Sequence, residues 1–201
     1  MSVFTSTYAL VLDELIVATV KAHNANGPSA ASPANVAGAT AKSVPTTAPA
    51  LSRGAATSDT QVVLTWTGLT VDADTGSSAI TNYKLYYDAG DGAATTFSLL
   101  GSTGGATSFT QNSGAGGISA GVTYRYQILA SNVYGDGAKL PVVASAFSAL
   151  AAAVPDQLAE STTALSGGNV VVTWAVSPNV HGSAVAYYRI TFKNQAGAFS
   201  T

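Results

Sequence analysis

The sequence predicts an all-β protein built from tandem β-sandwiches, and three observations carry that prediction. Apolar residues alternate with polar ones over runs about one strand long, glycine-rich turns separate the runs, and the whole pattern recurs at one long offset. Asn24 and Asn132, Pro33 and Pro141, and Trp66 and Trp174 each stand 108 residues apart. Three unrelated landmarks sharing an offset well above the roughly 20–50 residues of solenoid units indicate repeated domains.

The elements follow from the side-chain period. Val62, Leu64 and Trp66 fall on one face of a strand, as do Tyr83, Leu85 and Tyr87, and Tyr124, Tyr126, Ile128 and Ala130. Turns are expected at Gly90 to Gly92, Gly101 to Gly105 and Gly114 to Gly121, where glycine accepts positive φ at little cost. Leu150 to Val154 is Ala-rich but too short for an independent helix, and reads as the linker after a last strand.

The repeat extends to the text around its landmarks. Val-Val-Leu-Thr-Trp at 62–66 matches Val-Val-Val-Thr-Trp at 170–174, and Ser78 to Leu85 parallels Ser183 to Ile190. Further markers are the glycine and serine before the third strand (Gly76, Gly182), Gly121-x-x-Tyr124 opening the sixth, and Ala130-x-Asn132 with Gly135-x-Gly137 closing it. In this order the motifs resemble those of fibronectin type III domains, within the immunoglobulin-like sandwiches. The resemblance implies a seven-stranded sandwich with Trp66 and Tyr83 in the core and a corner hydrogen bond from Tyr124. In the first copy Ile16 stands where Tyr124 stands, so that bond has no donor there.

Laid out in this way, residues 46–154 carry a complete domain. Residues 1–45 supply only the last three strands of one, and residues 155–201 only the first three or four. The two flanks are complementary halves. A half-sandwich exposes an apolar face and unpaired edges, so something must cover it. Either the missing halves lie elsewhere in a longer tandem polypeptide, or the C-terminal half of one chain folds with the N-terminal half of the next. In the second case Val170, Val172, Trp174, Tyr188 and Ile190 would meet Ile16, Ala18 and Val20. Such a junction would be 12 residues shorter than the complete copy between its third and sixth strands, a trimming that loops tolerate.

Composition narrows the function. Only 9% of residues are charged, the net charge is -2, and the 8 Lys and Arg are scattered, so no basic field exists for nucleic acid. A surface so poor in charge suits one covered by neighbours or glycans. With 0 cysteines there are no disulfides, thiolate sites or cysteine nucleophiles. Tyr8 to Val20 is interrupted by Asp13 and Glu14, which fits neither a signal peptide nor a membrane span.

Candidate chemistry is sparse. Asp74-Thr75-Gly76 matches an aspartic protease loop, but no second such loop pairs with it, and it reads as a turn. Asp72, Asp74, Asp88, Asp91 and Asp136 match no calcium spacing. His23 and His181 do not occupy equivalent positions, and Arg53-Gly54-Ala55 lacks the acid of an adhesion tripeptide. No catalytic, cofactor or metal site is therefore expected. Lys42 to Ser52 (KSVPTTAPALS) and Ser29 to Pro33 have compositions open to O-linked glycans, and equally suit plain linkers. The expectation is a non-enzymatic, extracellular or cell-surface structural subunit that assembles head to tail with itself, stiffened at Val44-Pro45 and Val154-Pro155. The alternative is an adhesion or ligand-binding module of a larger protein, with Phe97 and Tyr134 as loop aromatics.

Overall fold

The computed structural model describes residues 10–92, 96–114, 117–141, 146–193, 197 and 199–200. The outer ends of both predicted flanks and residues 115–116 of the Gly114 to Gly121 turn lie outside the described residues. In chain order the strands are β1 (His23–Asn24), β2 (Gly27–Pro28), β3 (Ser52–Arg53), β4 (Gln61–Thr65), β5 (Asn82–Tyr87), β6 (Ser98–Ser102) and β7 (Ser108–Asn112). There follow β8 (Thr123–Asn132), β9 (Gly135–Asp136), β10 (Phe147–Leu150), β11 (Thr162–Ser166), β12 (Asn169–Thr173), β13 (Phe192–Lys193) and β14 (Phe199–Ser200). One helical turn, α1 (Asp72–Thr75), lies between β4 and β5.

From β3 to β10 the chain forms a sandwich of two sheets, ordered β3-β4-β7 and β10-β8-β5-β6, with the short β9 against the end of β8. These are the seven strands that the fibronectin type III resemblance implies. Period-2 alternation sets their faces: Val62 and Leu64 of β4 and Tyr83 and Leu85 of β5 are buried, and the residues between them are partly exposed. Tyr126 and Ile128 of β8 complete this face, fully buried. Trp66, at the end of β4, meets Tyr83 edge-on with ring centroids 5.5 Å apart at 68°.

The chain divides into two compact units, one of Met1–Ser52, Leu64–Phe109 and Arg125–Ser148, the other of Arg53–Val63, Thr110–Tyr124 and Ala149–Thr201. The first holds the Trp66–Tyr83 contact with Leu64, Leu85, Tyr126 and Ile128. In the second, Val62, Ile118, Tyr124, Ala149 and Ala151 are buried. There the Tyr124 hydroxyl accepts the Ser119 N–H at 2.9 Å and donates to the Gly117 carbonyl at 3.3 Å, a corner bond back to the preceding loop.

The linkers are docked against loops. In the first unit the Ser43 N–H donates to the Gly76 carbonyl and the Thr46 N–H to that of Asp74, both at 3.0 Å. Asn132 ties the two segments together: its Nδ2 donates to the carbonyls of Ser43 at 2.7 Å and Thr75 at 2.8 Å. Gly76 sits at φ 70 as the cap of α1, and a Cβ there would collide with the Ser43 carbonyl oxygen, so both conformation and space require glycine. The second unit repeats the arrangement, with Ala153 N–H on the His181 carbonyl at 3.1 Å and Asp156 N–H on that of Asn179 at 3.0 Å. Both Val44-Pro45 and Val154-Pro155 are thus flanked by main-chain hydrogen bonds to a loop. Lys42 to Ser52 is not an open tether either: Pro45, Pro49 and Leu51 are buried, and the Thr46 hydroxyl donates to the Ala73 carbonyl at 2.6 Å.

Candidate assembly interface

The C-terminal flank begins with the hairpin β11–β12, closed by Gly167 and Gly168 at φ 56 and 81, as a two-residue hairpin turn demands. Its register sets Leu165 opposite Val170 and Thr163 opposite Val172. These residues share one face with Trp174, whose ring lies 5.5 Å from that of Tyr188 at 58°. Val172, Trp174, Tyr188, Ile190, Pro155 and Leu158 line a groove of about 510 Å³ along that face.

Leu165, Val170, Val172, Trp174, Tyr188 and Ile190 each have a counterpart in the complete sandwich, and those counterparts are covered. Thr57, Val62, Leu64, Trp66, Tyr83 and Leu85 are buried. Leu165 is 81% exposed, Val170 59%, Ile190 41% and Tyr188 38%, with Val172 and Trp174 half-buried. Among the described residues, the flank thus leaves open the positions whose counterparts the sandwich covers.

The N-terminal flank departs from the strand its sequence predicts. The alternation at Leu15 to Val20 predicts a paired strand, but among the described residues of this flank the pairing is an isolated bridge, Leu15 to Thr40, and the short β1–β2 ladder. Side chains interleave with main chain between the two segments: the Ser29 and Ser32 N–H groups donate to the Ala22 and Val20 carbonyls at 2.7 and 2.9 Å, while side chains take the return bonds. The Ala18 N–H donates to Asn35 Oδ1 at 2.7 Å, the Val20 N–H to Ser32 Oγ at 3.0 Å and the Ala22 N–H to Ser29 Oγ at 3.0 Å. Asn35 Nδ2 returns a bond to the Ile16 carbonyl at 3.1 Å. Ser29, Ser32 and Asn35 recur every third residue while their partners recur every second, which no β ladder accommodates. Ala18 and Val20 are exposed and Ile16 is half-buried, whereas Tyr124, Tyr126 and Ile128 at the equivalent positions are buried.

The remaining candidates take structural places. Asp74 lies in α1, and its main-chain carbonyl receives the docked linker. Asp88 is buried beside Arg125, which donates to it from Nε at 2.8 Å and from its main-chain N–H at 3.0 Å. Burial raises the Asp88 carboxyl, but the bonds from Arg125 and from the Gly90 N–H outweigh it and hold the group below its ordinary value. Asp136 accepts Lys84 at 2.7 Å and the Ser131 hydroxyl at 2.6 Å, bonds that lower its pKa. Among the described residues no cluster of three or more His, Cys, Asp or Glu could hold a metal. Phe97 lies under the Arg125 guanidinium at 5.7 Å, while Tyr134 is exposed at the β8–β9 turn. His23 is exposed in β1, and Arg53 donates to the Ala152 carbonyl at 3.1 Å. No helix of the described residues is long and apolar enough to cross a membrane.

One group escaped the sequence reading. His181 sits between two carboxylates, with Nδ1 2.6 Å from Asp59 and Nε2 2.9 Å from Asp156. The bond to Asp156, then that to Asp59, raises its pKa. These residues are distant in sequence and meet only where the Val154-Pro155 linker docks.

No family model matches the chain. No curated protein matches it. Among solved structures it is similar to the FN1-FN3 domains of chicken CNTN1, at 16% identity and a TM-score of 0.45, covering 78% of this chain and 52% of that one. It is also similar to domains A168-A170 of titin, at 22% identity and a TM-score of 0.40, covering 57% of this chain and 33% of that one. A third is the third fibronectin III domain of human KIAA0343, at 14% identity and a TM-score of 0.40, covering 59% of this chain and 91% of that one. The chain thus spans about a third of the titin structure and about half of the CNTN1 one.

Proposed function

We propose that the chain is a non-enzymatic structural subunit of an extracellular fibre or surface appendage, assembling head to tail as the C-terminal half-sandwich of one copy is completed by the N-terminal half of the next. One observation carries the reading: equivalent inner-face positions are buried in the complete sandwich and open in both flanks. An open apolar face of this kind costs about 1.5–3 kcal/mol for each large side chain left in water, so a complementary surface is strongly favoured. The second copy is the fitting occupant because the chain itself contains the covered version of the contact, between β5 and β8. Sparse surface charge suits packing among neighbours. A second reading, an adhesion or ligand-binding module of a larger protein, is favoured by Val133 and Tyr134, 75% and 54% exposed on one turn.

Sedimentation of the 201-residue chain over a wide concentration range, with electron microscopy of the products, tests the assembly. Linear polymers that Ile190→Asp abolishes are expected. A monomer at every concentration would sink the reading.

A further inference from the structure

Resting on the head-to-tail reading, we infer the register of the junction: residues 187–191 of one copy pair antiparallel with residues 19–23 of a second, with Ile190 opposite Val20 and Arg189 opposite Lys21. The template is internal. β5 and β8 pair with Lys84 opposite Leu129, Leu85 opposite Ile128 and Tyr86 opposite Gln127. Ser78 to Leu85 corresponds to Ser183 to Ile190, and β8 residues lie 108 positions after their N-terminal counterparts, which converts these pairs to Arg189 with Lys21, Ile190 with Val20 and Thr191 with Thr19.

The hydrogen-bonding edges agree with this register. In the sandwich the Asp88 N–H donates to the Arg125 carbonyl at 3.2 Å, so odd-numbered β8 residues turn their main chain toward β5. Even-numbered ones turn the other way, as Ile128 does in its exchange with Leu140. The N-terminal flank keeps this parity. Ile16, Ala18, Val20 and Ala22 spend their N–H groups on Ala39, Asn35, Ser32 and Ser29 of the same chain. Among the described residues the main-chain groups of Val17, Thr19 and Lys21 have no hydrogen-bond partner, and neither do those of Tyr187, Arg189 and Thr191. Two unpaired edges of matching parity are therefore available, and pairing them brings the two open apolar faces onto one side of the new sheet. A specific junction would need to bury about 1,000 Å² in all.

The chain has no cysteine, so introduced thiols report the register without background. Ile190 and Val20 would form a non-hydrogen-bonded pair with Cα atoms about 4.5 Å apart, within disulfide reach. Positions two residues along lie about 7–8 Å away, too far for a relaxed bridge. An Ile190→Cys chain is mixed in turn with Val20→Cys, Ala18→Cys and Ala22→Cys chains, and the oxidised products are separated under denaturing conditions. Covalent dimers with Val20→Cys alone are expected. Dimers with Ala18→Cys or Ala22→Cys in their place overturn the register and leave head-to-tail assembly standing. Dimers of Val20→Cys with itself overturn it in favour of edge self-pairing. If no mixture cross-links, the inference falls, and sedimentation of the unsubstituted chain decides the parent reading: polymers preserve it, and monomers remove both.

Discussion

Trp174 meets Tyr188 at a ring separation of 5.5 Å, the separation at which Trp66 meets Tyr83 in the complete sandwich. Tyr83 is 2% exposed, whereas Tyr188 is 38% exposed. The same local sequence makes the same aromatic contact in both places. What differs is the cover over the tyrosine, which is nearly complete at Tyr83 and partial at Tyr188.

That difference separates two substitutions of identical chemistry. Trp66→Ala opens a cavity in a closed core and should cost about 3–5 kcal/mol. Trp174→Ala removes a ring that water already reaches, so the unassembled chain should lose much less while polymerisation fails. Denaturant unfolding of both variants, paired with sedimentation, checks the contrast.

Asn132→Ala should loosen the first linker. It strips donors from the carbonyls of Ser43 and Thr75 and an acceptor from the Tyr134 N–H. Each buried polar group left unpaired costs about 1–3 kcal/mol, so a clear drop in the unfolding midpoint and faster exchange of the Ser43 and Thr46 amides are expected.

The His181 clasp gives a pH dependence of definite sign. Because Asp156 and Asp59 raise its pKa in the folded chain, the charged imidazole is the form that binds them. The stability it contributes is complete below the ordinary imidazole value, about 6.5, and is lost as pH rises through the higher folded value. Amide exchange of Ala153 and Asp156, corrected for base catalysis, should show protection falling as the pH is raised above neutrality. His181→Asn should flatten that fall. The lowered carboxylates Asp59, Asp88 and Asp136 act in the opposite direction: their contribution is present above about pH 3.9 and is lost in stronger acid.

If the register at the junction holds, Arg189 faces Lys21 across the new pair, and like charges directly opposite one another repel. Lys21→Glu replaces that repulsion with attraction and should tighten association by about 0.2–1 kcal/mol, an effect that salt weakens. The critical concentration for polymerisation, measured at low and high salt, reports it.

The sandwich was legible in the sequence because its signal is local. Val62, Leu64 and Trp66, then Tyr83 and Leu85, state by their spacing which face is inward, and burial follows that alternation. The open face of the C-terminal flank was legible for the same reason, since Val170, Val172 and Trp174 copy that spacing. The N-terminal flank was harder to read. Its Leu15 to Val20 alternation is strand-like, yet the partner segment mixes Ser29, Ser32 and Asn35 side-chain bonds with main-chain ones and so breaks the regular ladder. The helical turn at Asp72–Thr75 also escaped, because four residues carry no readable period.

By itself the sequence determined the all-β class and the inward-facing residues of the central strands, because side-chain period and turn glycines act over a few residues. Only the tertiary structure decided the docking of the linkers, the burial of Asp88 against Arg125 and the capture of His181 between Asp59 and Asp156. Those contacts join residues tens of positions apart, where hydrogen-bond geometry and burial depend on how the chain returns on itself, and no local pattern encodes that.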